Sequence, residues 1–111
     1  MIQRNDSVQN DGECVEEDLQ KIEMFRLKID DIDKIMVRLL NERAGYAIEI
    51  GHVKRRLNMP VYVPSREEQV ISNVQGLNPG PLGNEAIRRL YERIIDESRR
   101  LERERFAASQ K

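Results

Sequence analysis

The chain has one cysteine, one histidine, no tryptophan, four prolines and five aromatic residues among 111. Each shortage removes a class of protein. Cys14 has no second cysteine with which to close an internal disulfide, so nothing points to an oxidising compartment. With no Cys partner and no nearby His, it also suits neither metal binding nor thiol catalysis. The few aromatics and prolines argue against a sandwich or barrel of many short strands. A basic excess is missing too: 19 Lys and Arg stand against 20 Asp and Glu, which leaves no overall field to hold nucleic acid. No stretch approaches the roughly 18 uninterrupted apolar residues of a membrane span. The N-terminus carries Asp6, Asp11, Glu13, Glu16, Glu17 and Asp18 and no apolar run, so it does not read as a signal peptide. The expectation is a soluble, cytoplasmic protein with no metal or cofactor and with neither nucleic acid nor membrane as a partner.

Charged residues make up 35% of the chain, and Leu, Ile, Val and Phe supply enough apolar volume for a core. That balance predicts a single all-α domain. Residues 1–17 are polar, acidic and aperiodic and read as a disordered extension; the helical domain is expected over 18–106, with 107–111 as a tail. From Ile22 a 3-4 spacing selects Phe25, Ile29, Ile32, Met36, Leu39, Arg43, Tyr46, Ile50, Val53 and Leu57 without a slip, and Asn58 and Pro60 supply the stop. The predicted first helix, 19–57, is about 58 Å long at 1.5 Å per residue. A compact globule of this chain length is only about 34 Å across. Such a helix overhangs its own domain, and the simplest cover for its apolar stripe is a second copy of the chain.

A linker, 58–64, precedes Ser65 and Glu68, which have the spacing of a capping box. A short helix is expected over 65–74, with Val70, Ile71 and Val74 inward. The turn-rich segment 76–83 follows, and Asn84 is a favourable N-cap for a third helix reaching about residue 105. Its inward line is Ile87, Leu90, Tyr91, Ile94, Ile95, Ser98 and Leu101.

Polar residues on these stripes need explaining. Arg43 occupies a seam position, and Lys54, eleven residues on, returns to within about 20° of the same face. Their Cα atoms are about 16 Å apart along a helix, so the two long side chains can converge on one anion. The plainer alternative has Arg43 reaching solvent and Lys54 pairing with Glu49 or Asn58. Arg26 lies seventeen residues before Arg43, about 26 Å along the helix, so it could join that site only from an antiparallel second copy; otherwise it pairs with Asp30. Ser98 and Glu102 on the third helix, and Arg66 and Glu67 on the second, are either ordinary packing and surface residues or the polar wall of the same pocket. His52 reads as a surface residue. With several cations, a hydroxyl and one or two carboxyls, but no nucleophile, metal cluster or glycine-rich phosphate loop, such a site suits a small polycarboxylate held by orientation and electrostatics.

The ordered segments Phe25-Arg26-Leu27-Lys28-Ile29-Asp30-Asp31-Ile32-Asp33, Leu39-Leu40-Asn41-Glu42-Arg43, Ala47-Ile48-Glu49-Ile50-Gly51-His52-Val53-Lys54, Pro60-Val61, Arg66-Glu67 and Ile94-Ile95-Asp96-Glu97-Ser98 resemble the AroQ-class chorismate mutases. The likeness covers about residues 19–104. It implies an intertwined homodimer of three-helix chains (long, short, medium) of the chorismate mutase II type, which rearranges chorismate to prephenate in aromatic amino-acid synthesis without a cofactor. On that resemblance Arg43, and Arg26 from the second copy, clamp the two carboxylates. Lys54 serves a carboxylate and the ether oxygen, Glu67 accepts the ring hydroxyl with Arg66 beside it, and Ser98 lines the carboxylate end. Arg43, Lys54 and Glu102 are the implied catalytic groups.

Two positions depart from the family pattern. Val63 stands where an Asp is expected, so a contact there falls to the backbone. Glu102 stands where many bacterial relatives have Gln, and it can donate a hydrogen bond to the ether oxygen only when protonated. Lys54 favours its charged form and burial its neutral form, and the sequence leaves open which prevails. At this length no fused dehydratase or regulatory domain is expected. Two alternatives remain: isochorismate pyruvate lyase on the same scaffold, and a non-catalytic helical dimerisation module.

Overall fold

The structure is a computed structural model that describes residues 11–109, with side chains described over 14–107. It contains three helices: α1, Asp11–Arg56; α2, Pro64–Leu77; and α3, Asn84–Ser109. Among the described residues there is no strand. The all-α reading and the long, short, medium order therefore hold.

The boundaries differ in instructive ways. α1 begins at Asp11, eight residues before the expected start, so 11–17 are helical and not a disordered extension. The apolar spacing continues backwards through Leu19 to Val15. The remainder of the expected extension, 1–10, lies outside the described residues. α3 continues to Ser109, through most of the expected tail.

α1 ends in a Schellman motif. Asn58 takes a left-handed φ of 57°, its N–H donates to Arg55 O at 3.2 Å, and Met59 N–H donates to Lys54 O at 2.8 Å. The motif fixes the last turn, which carries Lys54. The expected capping box of α2 is not formed. Val63, in an extended conformation, is the N-cap without a side-chain hydrogen bond, and Pro64 opens the helix. Proline needs no N–H partner in a first turn, so it starts the helix one residue early and draws Ser65 inside. Glu68 instead pairs with Arg88 of α3 at 3.1 Å.

By contacts the chain divides after Leu40. In the first unit, helical residues from Val15 to Leu40 show an uncovered apolar stripe, with Phe25 55%, Ile32 54% and Leu39 50% exposed. In the second unit α2 packs on α3 around Ile71, which is 3% exposed and the only buried apolar side chain among the described residues. Gln75 Nε2 donates to Asn84 O at 3.0 Å and closes the far end of this pair. The last turns of α1 meet α3 through Arg43 and Ser98, Gly51 and Glu102, and Arg55 and Phe106.

Candidate functional site

A groove of about 540 Å³ in the second unit is bounded by the last four turns of α1, the 61–63 segment, the start of α2 and the middle of α3. Arg43, Lys54, Val63, Arg66, Glu67, Ser98 and Glu102 all line it, together with Arg99. Seven of the eight positions singled out from the sequence thus meet around one space. The eighth, Arg26, lies on α1 in the first unit, exposed, and makes no ion pair with Asp30.

Each side chain is placed by local structure. Arg43 Nη1 donates to Ser98 Oγ at 3.4 Å, a contact that a larger residue at 98 would crowd out. Lys54 Nζ donates to the Val61 carbonyl at 3.3 Å, not to Glu49 or Asn58, so the Schellman turn and the linker together hold the ammonium at the groove. Val63 borders the groove without contributing a charge. Arg66 sits in the first turn of α2, and its Nη1 donates to Gln69 Oε1 at 2.8 Å.

Glu67 does not stand alone. Arg99 Nη1 lies 3.1 Å from its Oε2, with the two side chains 24% and 25% exposed. The Arg99 guanidinium also pairs with Asp96 and stacks on the Tyr62 ring, 4.5 Å from guanidinium carbon to ring centroid. Arg99 is thereby fixed from three sides and holds one Glu67 oxygen, leaving the other to accept a hydrogen bond. The sequence pattern does not single out Arg99, because it follows the seam residue Ser98 and reads as one of many surface cations on α3. Its spacing from Asp96 hints at a helical ion pair, but nothing in the pattern announces Tyr62, which reaches it from the linker.

Glu102 lies against α1 where Gly51 has no side chain. A Cβ at Gly51 would come within 3.3 Å of Glu102 Oε2 and 3.4 Å of its Cγ. Burial raises the Glu102 carboxyl above its ordinary value of 4.5, and the nearby charges of Lys54 and then Arg99 only partly oppose it. Of the two effects left open by the sequence, burial is the larger, so the neutral, hydrogen-bond-donating form persists to higher pH than in a free carboxyl. The groove thus presents four cations, a hydroxyl, an oriented carboxylate and a carboxyl biased towards its acid form. It can hold a small dianion and stabilise further negative charge with little reorganisation.

A sequence model of the family chorismate mutase type II matches residues 25–103. The chain is 36% identical over 89 residues to a bifunctional chorismate mutase/prephenate dehydratase of Aquifex aeolicus, a match that covers 77% of this chain and 25% of the relative. It is 44% identical over 78 residues to the protein of the same name from Neisseria gonorrhoeae, covering 70% and 21%. The chain therefore spans about a quarter of the length of these relatives. Chorismate mutase form II from Thermus thermophilus superimposes with a TM-score of 0.73 at 36% identity, covering 75% of this chain and 94% of that one. The resemblance read from the motifs is borne out.

Proposed function

Because the chain belongs to the type II chorismate mutase family, we propose that it converts chorismate to prephenate in the groove described above. The reaction is unimolecular: the ether C–O bond breaks as a new C–C bond forms, with no proton transfer and no covalent intermediate. The work left to the protein is to select the compact conformer and to stabilise charge developing on the ether oxygen. Arg43 takes one carboxylate, with Ser98 at the same end, and Arg26 of a second copy takes the other. Lys54 reaches both a carboxylate and the ether oxygen, while neutral Glu102 donates to that oxygen from the opposite side. Glu67, steadied by Arg99 and flanked by Arg66, accepts the ring hydroxyl, and the Val63 backbone borders it.

The working form is a homodimer. The uncovered apolar stripe of the first unit supports this, as does the presence of one buried apolar residue among those described. A core that small does not stabilise a helix of this length, whereas antiparallel pairing of two such stripes covers both. No helix of the described residues is long and apolar enough to cross a membrane. With the lone cysteine Cys14, that supports the cytoplasm as the location.

The observation that carries the reading is the convergence of Arg43, Lys54, Glu67, Ser98 and Glu102 on one groove. The test is loss of chorismate absorbance with purified protein, together with product identification. Prephenate formation by the wild type, slowed at least tenfold in Lys54→Ala, supports the reading. Inert chorismate, or release of salicylate and pyruvate from isochorismate in its place, overturns it.

A further inference from the structure

Behind the groove, on the other side of Gly51 and Glu102, lies a second hollow of about 470 Å³ between the end of α1 and the end of α3. Its floor is apolar, formed by Ile48, Met59, Val61 and Phe106, and its rim is basic, with Arg55, Arg103 and Arg105. Arg55 stacks on Phe106 at 4.6 Å and builds one wall. Among the described residues Arg56, Arg103 and Arg105 enter no ion pair. Glu102, turned partly into the other groove, is the one carboxyl in the lining.

The opposite end of α1 has the complementary character. Glu16, Glu17 and Asp18 follow one another, Glu16 and Glu17 enter no ion pair among the described residues, and Val15 and Leu19 are 55% and 60% exposed beside them. We propose that the acidic first turns of α1 from a second copy dock on this basic hollow, Glu16 and Glu17 against Arg103 and Arg105, with Val15 and Leu19 over the apolar floor.

The inference rests on the two-copy site and extends it beyond residues 25–103, the part that matches the family. Its register follows from helix geometry. If Arg26 of the second copy reaches between Arg43 and Lys54, and the two α1 helices run antiparallel with equal rise, residues 14–18 of that copy fall opposite about residue 51 to the end of α1 at Arg56 and just beyond it. That window contains His52, Arg55 and Arg56 and opens onto the end of α3. Helix dipoles favour charge of these signs only within the terminal turns, and the last turn of α3 holds no basic residue, so its dipole does not account for Arg103 and Arg105. Opposite charge on the two partners, continuous with the apolar stripe, is what favours a second copy over a free anion.

The test uses the full chain and the dimer dissociation constant from sedimentation, with activity on dilution as a second reading. Glu16→Lys with Glu17→Lys is expected to weaken the dimer about tenfold at low salt, since each exposed contact turns from attraction to repulsion and occurs twice per dimer. The loss should shrink at about 0.5 M salt, where exposed charges are screened within a few ångströms, and adding Arg103→Glu with Arg105→Glu should restore affinity. All these positions are exposed or half-exposed, and a helical circular dichroism signal matching the wild type verifies folding. A dimeric, active wild type whose affinity ignores these reversals overturns the docking alone. So does weakening by the arginine variants with no rescue in the swap, which would assign the hollow to a free anion or another protein. A monomeric but active wild type would remove the two-copy site as well.

Discussion

Glu102→Gln separates the donor role of this side chain from its charge. In the wild type the donor exists only while the carboxyl is protonated; in the variant the amide donates at every pH. Burial lifts the Glu102 pKa above 4.5 against the opposing charges of Lys54 and Arg99. Wild-type kcat/KM is therefore expected to be highest on the acid side and to fall as pH rises through that raised pKa, about tenfold per unit on a one-proton limb. The fall ends when the donor is wholly lost, a cost of about 10²- to 10³-fold for a group serving a developing oxyanion. The variant should match the acid plateau to within a few fold and hold it to about pH 8, because an amide does not titrate there. Stability moves in the same sense. A carboxyl whose folded pKa is raised binds its proton more tightly in the folded state, so its contribution is greatest below the unfolded value and is lost as pH rises through the folded one. The wild-type melting temperature should drop across this window relative to the variant. His52 lines the rear hollow together with Glu102, so His52→Gln must leave the limb in place. A wild-type profile flat from about pH 5 to 8, or a Gln variant that falls in parallel with it, refutes the reasoning.

Other substitutions probe the remaining contacts. Lys54→Ala should lower kcat/KM by one to two orders of magnitude, from the loss of charge-assisted contacts worth about 1.5–3 kcal/mol each, with little change in melting temperature. Gly51→Ala should raise the melting temperature, because alanine is the better helix former by about 1 kcal/mol, and yet lower kcat, because the new methyl meets Glu102 Oε2 at 3.3 Å and displaces it. Arg99→Met should release Glu67, reducing kcat/KM, and should shift the alkaline limb of the pH profile upwards, since Arg99 opposes the neutral form of Glu102. An unmoved limb in that variant would disprove the coupling.

The features legible in the sequence are those written with one period on one helix. The 3-4 stripe announces α1, and Arg43, where that stripe turns polar, marks the groove together with Lys54 on the same face. Boundaries set by backbone geometry are less accessible. Ser65 and Glu68 have the capping-box spacing, yet Pro64 starts α2 a residue earlier and Glu68 turns to Arg88. Spacing records that two residues could meet and says nothing of a competing partner twenty positions on. Arg99 is hidden for a related reason: its three partners lie on α3, on α2 and in the linker, and only the fold brings them together. Glu102 shows a further limit, since its charge state follows from how deeply α1 and α3 bury it, a quantity absent from any pattern.

These positions also show why the shape of α1 matters for chemistry. A groove with four cations and few neutralising acids is costly to keep dry, because each unpaired charge resists burial. Here part of that cost is offset locally: Arg43 meets Ser98, Lys54 meets a carbonyl, and Arg99 is engaged by Glu67, Asp96 and Tyr62. What stays unmatched is positive charge, which the proposed dicarboxylate substrate would supply. A helix that carries Arg43 and Lys54 near one end and Arg26 near the other can serve two such grooves only when a second copy lies antiparallel to it. On the proposed two-copy reading the length of α1 serves apolar cover and site completion at once, and a truncation that removed Arg26 would be expected to impair both together.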